Sequence, residues 1–200
     1  MRLGGIELDN GDLGGWTLCN VPVNKLPQRL ATAVIAANDD LFGESYLPIR
    51  LVGQQVVNGM NYMFIAKAVR ATAKKDTRIV SLVINIPAGD VTGENATVAA
   101  VKESTELPSG VQDVFDEAIG SLKGVNYVPL LYVGEQVAKG LNYYVICEAT
   151  ITYPGAVPKP VLVCVNTFQG VNSVVSIEPI YPFDLPADDT PVSLTASADD

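Results

Sequence analysis

From about Lys25 to Leu41 the apolar residues Leu30, Ala33, Val34, Ala37 and Leu41 recur at helical spacing, and Pro27 falls where a first turn tolerates it, so this stretch is predicted to be an amphipathic helix. The pattern then changes to β-branched and apolar runs broken by turn residues, which predicts strands over about 46–57, 60–72, 77–86 and 95–103, with the loop Pro87-Ala88-Gly89-Asp90 between the last two. The same succession follows again. Val111, Val114, Phe115, Ala118 and Leu122 predict a second helix, and strands are predicted over about 125–137, 141–153, 160–168 and 173–180, with the middle turn marked by Pro154-Gly155 and Pro158. In the second of these strands Tyr143, Val145, Cys147, Ala149 and Ile151 alternate onto one face, which is expected to meet the helix.

The two halves are copies. Gln55-Val56-Val57-Asn58-Gly59-Met60-Asn61-Tyr62 returns as Gln136-Val137-Ala138-Lys139-Gly140-Leu141-Asn142-Tyr143, 81 positions later, and the same offset aligns Leu26-Pro27 with Leu107-Pro108, Gly43 with Gly124, Tyr46 with Tyr127, Pro48 with Pro129 and Val52-Gly53 with Val133-Gly134. A fixed period of this kind marks a repeated module. Each copy of the motif centres a tight antiparallel hairpin, with a Gly where φ is expected to be positive. The chain accordingly divides into a Gly-rich arm (1–24), one module over 25–104, a second over 107–181, and an acidic, Pro- and Asp-rich tail (182–200), with a short linker leaving the modules little freedom. The expected fold class is α+β, with two tandem modules that each lay one helix across a four-stranded antiparallel sheet.

Composition narrows the function. A hydrophobic fraction of 48% and a mean hydropathy of +0.24 suit a packed interior and exclude disorder for most of the chain. The net charge is −9, but five of the acids, Asp184, Asp188, Asp189, Asp199 and Asp200, lie in a tail without Lys or Arg, so the rest is only mildly acidic. With no Lys/Arg cluster, neither nucleic acid nor an anionic membrane is an expected partner. No apolar run approaches the length of a membrane span and no signal-like start is present, so a soluble, non-exported protein is expected from the chain as written. Three cysteines suit a reducing compartment. Cys147 and Cys164 lie symmetrically about the Pro154–Pro158 turn, which leaves two readings, a cross-strand disulfide or, preferred, buried apolar filling.

The chain has no histidine, which removes Ser-His and Cys-His nucleophile pairs and His-ligated zinc. No CxxC spacing occurs, the N-terminal glycines lack the strand and Lys of a phosphate loop, and the paired acids Asp39-Asp40 and Asp188-Asp189 suit solvated surfaces. No enzymatic activity, cofactor or metal is expected.

The Gln55-Val56-Val57-Asn58-Gly59 segment with Asn61-Tyr62 after it resembles the Gln-x-Val-x-Gly loop and following Asn-Tyr of the cystatin and stefin family of cysteine-protease inhibitors. Gln136, Val137, Ala138, Lys139 and Gly140 resemble it less closely, with Ala138 where the family has Val. Gly14 and Gly15 stand about 40 residues ahead, where the family carries a glycine in its N-terminal arm. The resemblance implies that Gly14, Gly15 and the Gln55–Gly59 loop, together with a second hairpin, line up as an apolar wedge that plugs the active-site cleft of a papain-like enzyme. It also implies that strand exchange at this loop would yield a homo-oligomer such as a domain-swapped dimer. Two departures matter: Pro87-Ala88-Gly89-Asp90 and Gln169-Gly170-Val171-Asn172 lack the Trp that secreted members carry in the second hairpin, as stefin-like members also do, and the second module has no free arm and a charge, Lys139, at its tip. The second module is therefore not expected to inhibit in the family's way. A different class of function remains open beside this one, a non-inhibitory structural or binding protein in a larger assembly, a virion included, whose hairpins repeat because sheet geometry requires them.

Overall fold

The computed structural model describes residues 15–39, 41–71 and 77–180, and the backbone of 2–3 and 6–7. Expectations for Gly14, Asp40 and the 182–200 tail lie outside these residues. Two short strands, β1 (Arg2–Leu3) and β2 (Ile6–Glu7), pair with each other. Then come β3 (Trp16–Pro22), a 3₁₀ turn (Val23–Lys25), α1 (Gln28–Asp39), β4 (Glu44–Val57), β5 (Gly59–Arg70), β6 (Thr77–Pro87) and β7 (Thr97–Lys102). The second half follows as α2 (Val111–Gly120), β8 (Val125–Ala138), β9 (Gly140–Ile151), β10 (Lys159–Phe168) and β11 (Val171–Pro179).

The expected architecture of one helix across one four-stranded sheet in each module is overturned. The described residues are mostly antiparallel sheet, with five strands in the order β3-β4-β5-β6-β7 and four in the order β8-β9-β10-β11, and the two helices among them are short. Two physical causes account for the difference. The Gly-rich start reads as an irregular arm, yet Trp16-Thr17-Leu18 alternates apolar and polar, and Trp16 and Leu18 lie opposite Gln55 and Gly53 of β4 as a further strand. The central strands are also apolar on both faces, as Met63-Phe64-Ile65-Ala66 illustrates, so a helix on one side leaves a second apolar face that must be covered too.

The two sheets cover each other. Leu18, Val52, Met63, Ile65 and Ile79 of the first pack with Leu130, Val133, Tyr144, Ile146, Leu162 and Cys164 of the second. On the outer faces α1 buries Leu30, Ala33, Val34 and Ala37 against Phe64, Leu82 and Ile84, while α2 buries Val111, Phe115 and Ala118 against Val145, Cys147 and Val163. The layers therefore run helix, sheet, sheet, helix. Glu148 of β9 accepts the Ile79 N–H of β6 at 2.7 Å, and Thr105 of the linker donates its N–H to Pro129 of β8 at 2.8 Å, tying the halves together.

The 81-residue offset survives in the backbone. The β4–β5 ladder shifts register at Pro48/Arg50 and Leu51/Gly53, and the β8–β9 ladder at Pro129/Leu131 and Tyr132/Gly134. Cys147 faces α2 and lies opposite Val161, whereas Cys164 faces the other sheet and lies opposite Tyr144, so the two buried thiols occupy opposite faces and both are free. Burial pushes the Cys147 thiol up and the Cys19 thiol to about 11.

Candidate functional site

Strand order brings three chain segments to one end of the five-stranded sheet. β3 begins there, with Trp16 opposite Gln55; the β4–β5 hairpin turns there, with Val57 opposite Gly59 and Asn58 outside the ladder; and β6 ends there, with Pro87 opposite Gly59. Gly15, Gln55, Val56, Val57, Asn58 and Gly59 thus lie together at this end of the sheet. A Cβ built on Gly15 would lie 3.8 Å from Gln55 Nε2. Val56 is 80% exposed and Val57 41%, apolar side chains held in solvent at the tip.

Part of the motif is accounted for by the sheet itself. Asn61 Nδ2 donates to Gln55 Oε1 at 3.1 Å and Asn85 Nδ2 to Asn61 Oδ1 at 2.8 Å, a line of amides across β4, β5 and β6. In the second sheet Asn166 donates to Asn142 at 2.7 Å and Tyr144 donates its hydroxyl to Gln136 at 3.0 Å. Gly59 has φ +110°, and a Cβ there would fall 2.2 Å from the Ile86 carbonyl oxygen; Gly140 has φ +93°, and its Cβ would fall 2.3 Å from the Thr167 carbonyl oxygen. Both hairpins close against the next strand with no room for a side chain. Gln55, Gly59 and Asn61 therefore build the tip, and Val56, Val57 and Asn58 are what it presents.

The β6–β7 loop stands beside the tip and is rigidly organised. The Asp90 carboxylate accepts N–H groups from Gly93 at 2.7 Å and from Thr92 and Asn95 at 3.0 Å each, and the Thr92 hydroxyl at 3.1 Å. Those bonds, Gly93 first, hold its carboxyl at about 2. Gly93, at φ +86°, packs on α1, where a Cβ would meet the Arg29 carbonyl oxygen at 2.3 Å. The result is an exposed Val91, 81% accessible, next in the chain to the anchoring carboxylate.

The second-module residues Gln136, Val137, Ala138, Lys139 and Gly140 form their own tip on the four-stranded sheet. Val137 is 84% exposed, and the Lys139 ammonium lies 5.2 Å from the centre of the Phe168 ring, a cation held over an aromatic face. Among the described residues no strand flanks β8 as β3 flanks β4. Sequence reasoning missed Trp16 as the partner of Gln55, Asn85 as the third amide and Val91 as an exposed group. Asn85 was within reach of the repeat, since Asn166 follows it by the same 81 positions. Among the described residues no cluster of three His, Cys, Asp or Glu side chains has the arrangement of a metal site. No helix among them is long and apolar enough to cross a membrane. Neither a protein-family model nor a characterised protein matches the chain in sequence.

Proposed function

We propose that the chain inhibits papain-like cysteine proteases by inserting the end of its five-stranded sheet into the active-site cleft. The observation that carries this reading is the convergence of Gly15-Trp16, the Val56–Gly59 tip and the Val91 loop at one sheet end, with exposed apolar side chains on two of the three. Such a surface works without chemistry. It blocks access by shape and apolar contact, and the amide line, the closed Gly59 turn and the Asp90 cage fix it beforehand, so little conformational freedom is lost on docking. The second tip carries Lys139 and, among the described residues, no flanking strand, and has no part in this activity. Strand exchange through the β4–β5 hairpin, giving a dimer with one arm from each copy, belongs to the same proposal, and light scattering across concentrations tests it.

A second reading, a non-inhibitory component of a larger assembly, is favoured by one observation. Gln, Asn and Gly of the motif serve hairpin geometry in both modules, including the one whose tip is charged. Titration of papain with the intact chain separates the two. Inhibition that the exposed-site change Val56→Asp weakens tenfold or more, about 1.4 kcal/mol or above, supports the wedge. Full papain activity at micromolar excess of the chain moves the weight to assembly. Gly59→Glu is a poor probe, because any side chain at that position meets the Ile86 carbonyl and disturbs the hairpin as well as the contact surface.

A further inference from the structure

The second sheet stops one strand short of the first. In the first sheet β4 is flanked by β3, but the positions 81 residues after β3, 97–103, already serve as β7 of the first sheet, so among the described residues no strand covers the outer side of β8. The linker touches that side at Pro129 through the Thr105 N–H. β8 is built as an interior strand: it carries the same two register shifts as the covered β4, and residues 125–134 bear no charge. Its open stretch, 130–135, shares its register shifts with the covered β4 and carries a single charge, Glu135, at the far end, where β4 has Gln54. Alongside lies a groove of about 310 Å³, lined by Trp16, Met63, Val83 and Ala100 of the first sheet and by Leu130 and Leu131 of β8, with Lys102 adding a positive charge. An open strand edge beside an apolar groove is the arrangement that accepts an extended chain, the backbone giving affinity and the groove selecting alternate side chains.

The chain's own C-terminal sequence has the matching pattern. Val192, Leu194 and Ala196 alternate with Ser193, Thr195 and Ser197, beginning with the same apolar, polar, apolar order as Trp16-Thr17-Leu18 of β3, and the run is flanked by Asp188-Asp189 and Asp199-Asp200, complementary to Lys102. Its reach suffices. Ile180 is anchored by its N–H to the Pro160 carbonyl at 3.3 Å, beside β11, three strand spacings or about 14 Å from β8, while the ten residues 181–190 extend to about 33 Å. We propose that residues 191–197 add to the outer edge of β8 in the same molecule, with Val192 and Leu194 directed into the groove.

Amide hydrogen exchange of the full-length chain tests this. The β8 amides of 131–135 are expected to exchange at least tenfold faster in the double variant Val192→Asp/Leu194→Asp than in the unaltered chain, while Ser193→Asp leaves them unchanged. Equal β8 exchange in the unaltered chain and the double variant would overturn the proposal. So would β8 protection that rises with protein concentration, since a second copy would then supply the strand.

Discussion

Gly59 and Gly140 are the residues on which both hairpins turn, and their constraint is twofold: positive φ and a neighbouring carbonyl oxygen closer than any Cβ tolerates. Gly59→Ala and Gly140→Ala are each expected to destabilise the chain by about 2 kcal/mol or more, read as a lowered melting temperature, with Gly89→Ala, where positive φ occurs in open space, costing less. Equal effects at all three would mean that backbone conformation alone matters. Asp90 makes a pH prediction of definite sign. Its carboxyl is depressed to about 2 by N–H donors that prefer the charged form, so its contribution to the loop is complete above the ordinary carboxyl range near 4. That contribution is lost as the pH falls through about 2. A carboxyl chemical-shift titration is expected to place the Asp90 midpoint near 2, and a midpoint near 4 would mean that the cage does not hold in solution. Asp90→Ala frees the Val91 loop and is expected to weaken inhibition without lowering the amount of folded protein.

At the scale of elements, the helices were legible because two signals coincided: Leu30, Ala33, Val34 and Ala37 recur at helical spacing, and their counterparts 81 residues on do so too. The four strands after each helix were legible from turn residues and β-branched runs, and Tyr143, Val145, Cys147 and Ala149 line the face that meets α2, whereas Ile151, expected with them, is 53% exposed and outside that cluster. β3 was not legible, since its seven residues follow glycine-rich punctuation and end on a proline, and its partner Gln55 is some 40 positions away. Nor was the sheet-on-sheet core. A run such as Met63-Phe64-Ile65-Ala66 declares two buried faces but cannot say which neighbour covers each, and the helix was assigned one while the other had no owner. The Gln55–Gly59 segment was legible as a tip. Its division into residues that build the hairpin and residues that face outward required the amide line across three strands.

The whole molecule behaves as one body because its central core draws on both halves of the duplication. Ile65 and Val52 have no exposed surface and neither does Ile146 of the other sheet, and all three belong to the same cluster. Ile146→Ala is expected to cost about 2–5 kcal/mol and to lower a single calorimetric transition for the entire chain. Two separated transitions would show that each half keeps its own stability. The proposed inhibition rests on one end of this body, and an amide hydrogen-exchange footprint of the intact chain with and without a papain-like protease tests it. Protection of 55–59 and of the 88–92 loop is expected on adding the enzyme, with 137–141 unchanged. Protection confined to the second tip, or no protection at either, would contradict it.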